Sequence, residues 1–258
     1  NHSRATALAA ARLGFRTILL LRHASADAAP PELVGNYLLD VLAGADVRFI
    51  TPQQSEDRDE LMAATAAAEG QRGHKSWVIP EGASDVLGMW GFVLAMRELA
   101  DQMAAIPGAP ATVWHAASSG GTTAGIGWAA DRLGLDSEIV ACSIGDRAEE
   151  IRTKVEAIWA EACTTTRSKP PRPSIAYVDR HVGGGYGIVS AHELAAQAEA
   201  TALTGMVLDP TYTGKALSGL RSDIRDGRYT AADHIVFWHT GGGFAAMAHD
   251  FSQLQSRK

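Results

Sequence analysis

The sequence is poor in the features that would commit it to a membrane, a nucleic acid or an oxidising compartment. Its two cysteines, Cys142 and Cys163, lack CxxC spacing and are too few for the disulfide framework of a small secreted domain, so a reducing cytosol fits best. The longest apolar runs, such as residues 17–21, fall far short of the roughly 20 residues that span a bilayer. Positive charge is scarce as well. The 23 Lys and Arg are scattered against 29 Asp and Glu, and the net charge of −6 offers no field to attract nucleic acid or an anionic membrane. GxGxxG, GxxxxGKS and HExxH are absent, and the nine histidines show no clustered spacing, which weighs against dinucleotide, nucleoside-triphosphate and metal chemistry.

What is there suits a globular enzyme. The 258 residues are 46% hydrophobic and 20% charged, enough for one large domain or two smaller ones with a substantial core. Residues 6–13 are rich in helix formers and Gly14 stands where a helix stops; residues 17–21 then read as a buried strand. The unit recurs, with a helix over 33–42 closed by Gly44, a strand over 47–50, and a helix from about 57 to 69 leading to the apolar Trp77-Val78-Ile79. A turn-rich break at 80–85 is followed by a helix over 88–103 and by strands at 112–115, 138–142, 175–178 and 235–238. The stretch 164–173, with three prolines and three basic residues, reads as an exposed loop. This alternation predicts an α/β fold with a mainly parallel sheet covered by helices, in a smaller domain of residues 1–85 and a larger one of 86–258 with a ligand cleft between them.

Chemistry concentrates in glycine-rich segments. Ser118, Ser119, Gly120, Gly121 and Thr122 follow a strand and open a helix, where small residues bare the backbone amides and the helix start favours negative charge. An anion cradle and a plain tight turn remain about equally compatible with that pattern alone. His239-Thr240-Gly241-Gly242-Gly243 also follows an apolar strand, and strand ends of this kind converge on ligands in open α/β sheets. Between them, Gly183-Gly184-Gly185-Tyr186-Gly187 and Asp209-Pro210-Thr211-Tyr212-Thr213-Gly214-Lys215 each set a tyrosine in a turn, as a cofactor or proton-transfer group or as an amphipathic anchor.

Taken in order, these segments resemble the fold-type-II pyridoxal 5'-phosphate (PLP) enzymes of the D-cysteine desulfhydrase and 1-aminocyclopropane-1-carboxylate (ACC) deaminase family. The resemblance rests also on Asn1-His2-Ser3-Arg4, Gly35-Asn36-Tyr37-Leu38-Leu39 and Ile79-Pro80-Glu81-Gly82-Ala83-Ser84-Asp85, and covers essentially the whole chain. It implies a two-domain fold of twisted parallel sheets, a homodimer, a small amino-acid substrate and PLP as cofactor. It assigns Ser118, Ser119, Gly120, Gly121 and Thr122 to the PLP phosphate and Asn1 to its phenolic oxygen. Asn1, His2 and Ser3 together fall to a substrate carboxylate, Tyr212 and Tyr186 to the reacting centre, and Thr213 and Thr240 to the pyridine edge. Thr213 stands where the deaminase branch has a glutamate and the desulfhydrase branch a threonine. A neutral hydroxyl leaves the ring a weaker electron sink, which tilts the expectation toward C–S elimination over ring opening.

The family's cofactor-binding lysine lies upstream of the segment matched by Asn1, and none of Lys75, Lys154, Lys169, Lys215 or Lys258 occupies its position. The expected explanation is a missing leader, ahead of a separate N-terminal piece carrying the lysine or a natural pseudoenzyme; on that expectation this chain alone is inactive. Ser190-Ala191-His192 and Ala117-Ser118 also depart from the family's residues.

Overall fold

The computed structural model describes residues 1–23, 30–107, 112–231 and 233–252. The chain divides into two compact units, Asn1–Glu81 and Gly82–Lys258. In the first, helix α1 (His2–Arg12) leads into strand β1 (Ile18–Arg22), and α2 (Gly35–Leu42) into β2 (Asp46–Ile50). The two strands pair in parallel, Ile18 with Asp46 through Arg22 with Ile50. Two helices follow, α3 (Pro52–Glu56) and α4 (Arg58–Gln71). Thr51 starts α3 with a capping box, its hydroxyl accepting from Gln54 N while the Gln54 side chain accepts from Thr51 N. Near the end of α4 the buried Glu69 carboxylate gathers Arg16, Arg72 and His74, and the hydrogen bond from His74 is the main cause that holds it below the usual range. The apolar run Trp77-Val78-Ile79 forms no strand. Trp77 is 75% exposed there, and residues 74–80 belong to no helix or strand.

The second unit is built on a parallel sheet of strand order β5-β4-β3-β6, from β3 (Thr112–Ala117), β4 (Glu138–Ser143), β5 (Ile175–Val178) and β6 (Ile235–Trp238). The helices between are α5 (Val86–Met103), α6 (Gly121–Leu133), α7 (Ala148–Thr166), α8 (Ala191–Thr204) and α9 (Thr213–Arg225). Every residue of β3 is buried because helices cover both faces of the sheet. Trp114 and Ala116 pack with Val140, Cys142 and Val178 against Ala216 and Leu220 of α9. Ala117 and Ala141 pack with α5, α6 and α7 through Met89, Trp128 and Ile151. Helices α5 and α6 meet closely at Gly125, where a Cβ would sit 2.4 Å from Met89 O.

The expected loop at 164–173 begins three residues late. Thr164, Thr165 and Thr166 close α7, their hydroxyls donating to the carbonyls of Ala160, Glu161 and Ala162, and Arg167 ends the helix at φ +52. Such back-bonding lets threonine occupy a last helical turn that its propensity disfavours. Among the described residues no helix is long and apolar enough to cross a membrane.

Candidate active site

The second unit's sheet brings two loops together. β3 and β6 are hydrogen-bonded parallel neighbours, His115 opposite Trp238, so the segments leaving their carboxyl ends emerge side by side. A cavity of about 90 Å³ lies there, bordered by Ser118, Ser119, Gly120 and Thr122 from the first loop, by Thr240 from the second, and by Tyr212. Its remaining walls are Ala116, Ala117 and Thr123. Among the described residues neither a carboxylate nor a lysine borders it.

The first loop is shaped by what lies behind it. Gly120 caps α6 at φ +92, and a Cβ there would meet Lys154 Cβ at 3.2 Å and Val155 N at 3.3 Å on α7. A Cβ on Gly121 would sit 2.7 Å from Ser84 Oγ. The glycines are therefore demanded by close packing against α7 and Ser84. The first amides of α6 have no intrahelical partner by helix geometry, and an anion at this end would meet them. Gly121 N donates to Ser84 Oγ at 3.2 Å, and that hydroxyl also bonds Ser119 Oγ at 2.6 Å. The Ser118 hydroxyl lies 3.4 Å from Asp146, which Lys154 pairs at 2.9 Å. Beneath the loop His115 is fully buried, with Nδ1 donating to Ala116 O at 3.0 Å and Thr123 Oγ1 3.4 Å from Nε2; burial pushes its pKa down to about 4.

The tyrosines meet. Tyr186 and Tyr212 share a 2.7 Å bond between phenol oxygens, with rings edge to face at 5.9 Å. Gly145 makes room, since a Cβ there would be 2.9 Å from Tyr186 Cβ. Tyr212 is held at the start of α9 by Asp209, a fully buried carboxylate that accepts from the amides of Thr211, Tyr212 and Thr213 and from the Thr213 hydroxyl. Thr213 is fully buried; its oxygen donates to Asp209 Oδ1 at 2.8 Å and accepts from Asp209 N at 3.0 Å, and it does not border the cavity.

A family model for pyridoxal-phosphate dependent enzymes matches residues 1–241. The chain belongs to the pyridoxal-phosphate dependent enzymes. It is 33% identical over 250 residues to a D-cysteine desulfhydrase of Yersinia pestis (strain Pestoides F), covering 96% of this chain and 75% of that protein. It is equally 33% identical over 248 residues to a bifunctional D-cysteine desulfhydrase/ACC deaminase, mitochondrial, of Arabidopsis thaliana, covering 94% of this chain and 61% of that one. The crystal structure of an ACC deaminase homologue superposes with a TM-score of 0.84 at 31% identity, over 99% of this chain and 74% of that one. These relatives set the PLP enzyme within the D-cysteine desulfhydrase and ACC deaminase family, on the fold-type-II scaffold of parallel sheets covered by helices.

The residues present suit the cofactor. The cavity lining supplies hydroxyls, a helix start and no opposing acid, a donor set matched to a phosphate dianion. Of the residues expected to serve the cofactor and substrate, Ser118, Ser119, Gly120, Thr122, Thr240 and Tyr212 share this cavity, Tyr186 reaches it through Tyr212, and Gly121 and Thr213 stand behind it. Asn1, His2 and Ser3 belong to the first unit, at the start of α1. There Asn1 Oδ1 accepts from Asn36 Nδ2 at 3.0 Å, and burial is the main cause that lowers the His2 pKa. The expected role of Ser118 reached its position but not Asp146 and Lys154 behind it. The resemblance gives Ser84 no role of its own.

Proposed function

We propose that this PLP enzyme is a C–S lyase acting on a thiol amino acid such as D-cysteine, and that it releases a 2-oxo acid, ammonia and hydrogen sulfide or a thiol. The observation that carries this reading is the uncharged lining of the cavity among the described residues, together with the commitment of the Thr213 hydroxyl to Asp209. The bound cofactor supplies an electron sink for the amino acid's α-carbon. In a neutral surrounding that sink is moderate, which is enough where the leaving group is a thiolate that departs with its own electron pair.

The chain's residues divide the work. The amides and hydroxyls at 118–122 hold the phosphate, and Thr240 offers a neutral hydroxyl to the ring's edge. Tyr212 borders the cavity and its phenol is hydrogen-bonded to that of Tyr186, so one phenol can give a proton at the reacting centre while the other donates to the phenolate left behind. Asn1, His2 and Ser3 supply donors suited to the substrate carboxylate.

The test is to express the intact gene product with PLP and to measure sulfide and 2-oxo acid from D-cysteine, L-cysteine and ACC. Sulfide and pyruvate from a cysteine enantiomer, with little product from ACC, is the expected result. Ring opening of ACC without sulfide release would move the protein to the deaminase reading, and bound PLP without turnover of any of the three would leave a binding function. Tyr212→Phe should lower kcat for sulfide release by roughly a hundredfold while PLP absorbance is retained, because proton transfer by a placed group is worth that order.

A further inference from the structure

Lys215, like Asp209, is a charged side chain that stands fully buried at the tyrosine end of the site. It is the third residue of α9, two positions from the first-turn amides that Asp209 accepts, at a helix end that disfavours a cation. Its ammonium is accommodated by three backbone carbonyls, Gly185 O at 2.7 Å, Val182 O at 2.8 Å and Ile188 O at 3.1 Å. Three acceptors match the three N–H donors of an ammonium. A carboxylate oxygen of Glu193, itself buried, lies 3.8 Å away and supplies the counter-charge. The carbonyls come from one short loop whose turns are fixed by Gly183, Gly185 and Gly187 at φ +62, +109 and +73, and this loop carries Tyr186.

We propose that Val182, Gly185, Ile188 and Glu193 form a monovalent-cation cage whose built-in occupant is the Lys215 ammonium, and that Lys215 is thereby the positioning residue for the Tyr186 phenol. Carbonyl oxygens at these distances from a single positive centre are the kind of ligand that replaces water around a potassium or ammonium ion. A cation tethered to α9 fixes both ends of the Tyr186 loop to the helix that begins at Tyr212. The 2.7 Å bond between the phenols depends on that register. The kinetic part of this proposal rests on the reading that the two tyrosines serve the reaction; the cage itself does not.

The experiment uses the PLP-loaded full-length protein, its K215A variant, which opens a channel to the cage, and K215M, which fills the channel without a charge. Each is assayed and melted in tetramethylammonium, potassium, ammonium or propylammonium chloride at one ionic strength. Wild type should be indifferent to the cation. K215A in tetramethylammonium should lose roughly a hundredfold in kcat with a much smaller change in KM, the order expected of a displaced reacting group. Propylammonium, which restores the missing atoms, should return at least about tenfold of that loss and raise the melting temperature; potassium and ammonium should return part, and K215M should respond to none. Recovery by tetramethylammonium equal to that by propylammonium would overturn the cage, as would K215A with wild-type kcat and melting, or an unfolded K215A in every salt beside a K215M of wild-type kcat. Because melting needs no substrate, cation-specific melting in a protein that releases no sulfide would keep the cage and reject the reaction.

Discussion

The two ends of the second unit's cavity solve opposite problems. The phosphate end is made of backbone, small hydroxyls and tight glycines, and the side chains bordering it are uncharged. The tyrosine end is made of two long phenols held by buried ions, Asp209 capping α9 and Lys215 gripping the loop that carries Tyr186. The difference follows from what each must hold. A phosphate brings its own charge and needs only converging donors, which a helix start supplies. A phenol brings none, so its position must be imposed by groups strong enough to fix the loops that carry it. Substitutions should therefore act on folding and turnover at the tyrosine end, and on cofactor retention at the phosphate end.

The largest effect is expected at Asp209. Its carboxylate accepts from three amides and one hydroxyl in a site closed to water, and Asp209→Ala leaves them without a partner. Breaking a buried charged group of this kind costs about 4 kcal/mol. Denaturant unfolding should show that loss together with a fall in kcat, and a variant as stable as wild type would mean that the tyrosine end is not built on its ions.

Next in size is an acid effect from beneath the phosphate end. Burial holds His115 at about 4, against an ordinary value near 6.5, so the folded protein keeps this imidazole neutral where the unfolded chain protonates it. More protons bind the unfolded state between those values. Stability is therefore full above about pH 6.5 and is lost as the pH falls toward 4, by about 3 kcal/mol for this group. His115→Gln should flatten that part of the stability curve, measured by urea unfolding at pH 6.5, 5 and 4. An unchanged slope would place the acid sensitivity elsewhere.

Gly120→Val comes third and should act mainly on the cofactor. At φ +92 a β-branched residue is strained, and its Cβ would press on Lys154 and Val155 of α7 and push the loop from its place. Strain of about 2 kcal/mol corresponds to roughly thirtyfold weaker PLP retention, read from visible absorbance during dialysis. The obstruction is on the side of α7.

Much of this was legible in the sequence because strands and loops there follow short-range rules. Strands β3 to β6 are short and largely apolar, and the small-residue segments after β3 and β6 announce their own turns. Trp77-Val78-Ile79 has the same local pattern but no ladder partner, which only three dimensions decide. Thr213 could be placed beside Tyr212 by chain order, yet its hydroxyl turned to Asp209, four residues back. Lys215 was read as part of a turn; its cage depends on carbonyls turned inward by three left-handed glycines, some 30 residues earlier in the chain.

The smallest expected effect, at Ser84, sharpens the comparison most. Ser84 reaches the phosphate end from outside it, taking Gly121 N and Ser119 Oγ into hydrogen bonds, and so fixes the direction in which the Ser119 hydroxyl can donate. It does not line the cavity and carries no charge, so Ser84→Ala removes order without removing a ligand. One neutral hydrogen bond of this kind is worth about 1 kcal/mol, or roughly fivefold in PLP retention. Ser84→Thr keeps the hydroxyl and should restore most of it. Neither change should alter kcat once PLP is saturating, because the tyrosine end is positioned by its own ions. A fall in kcat at saturating PLP would show that the two ends are coupled, and that the phosphate loop sets the place of the tyrosines as well as of the cofactor.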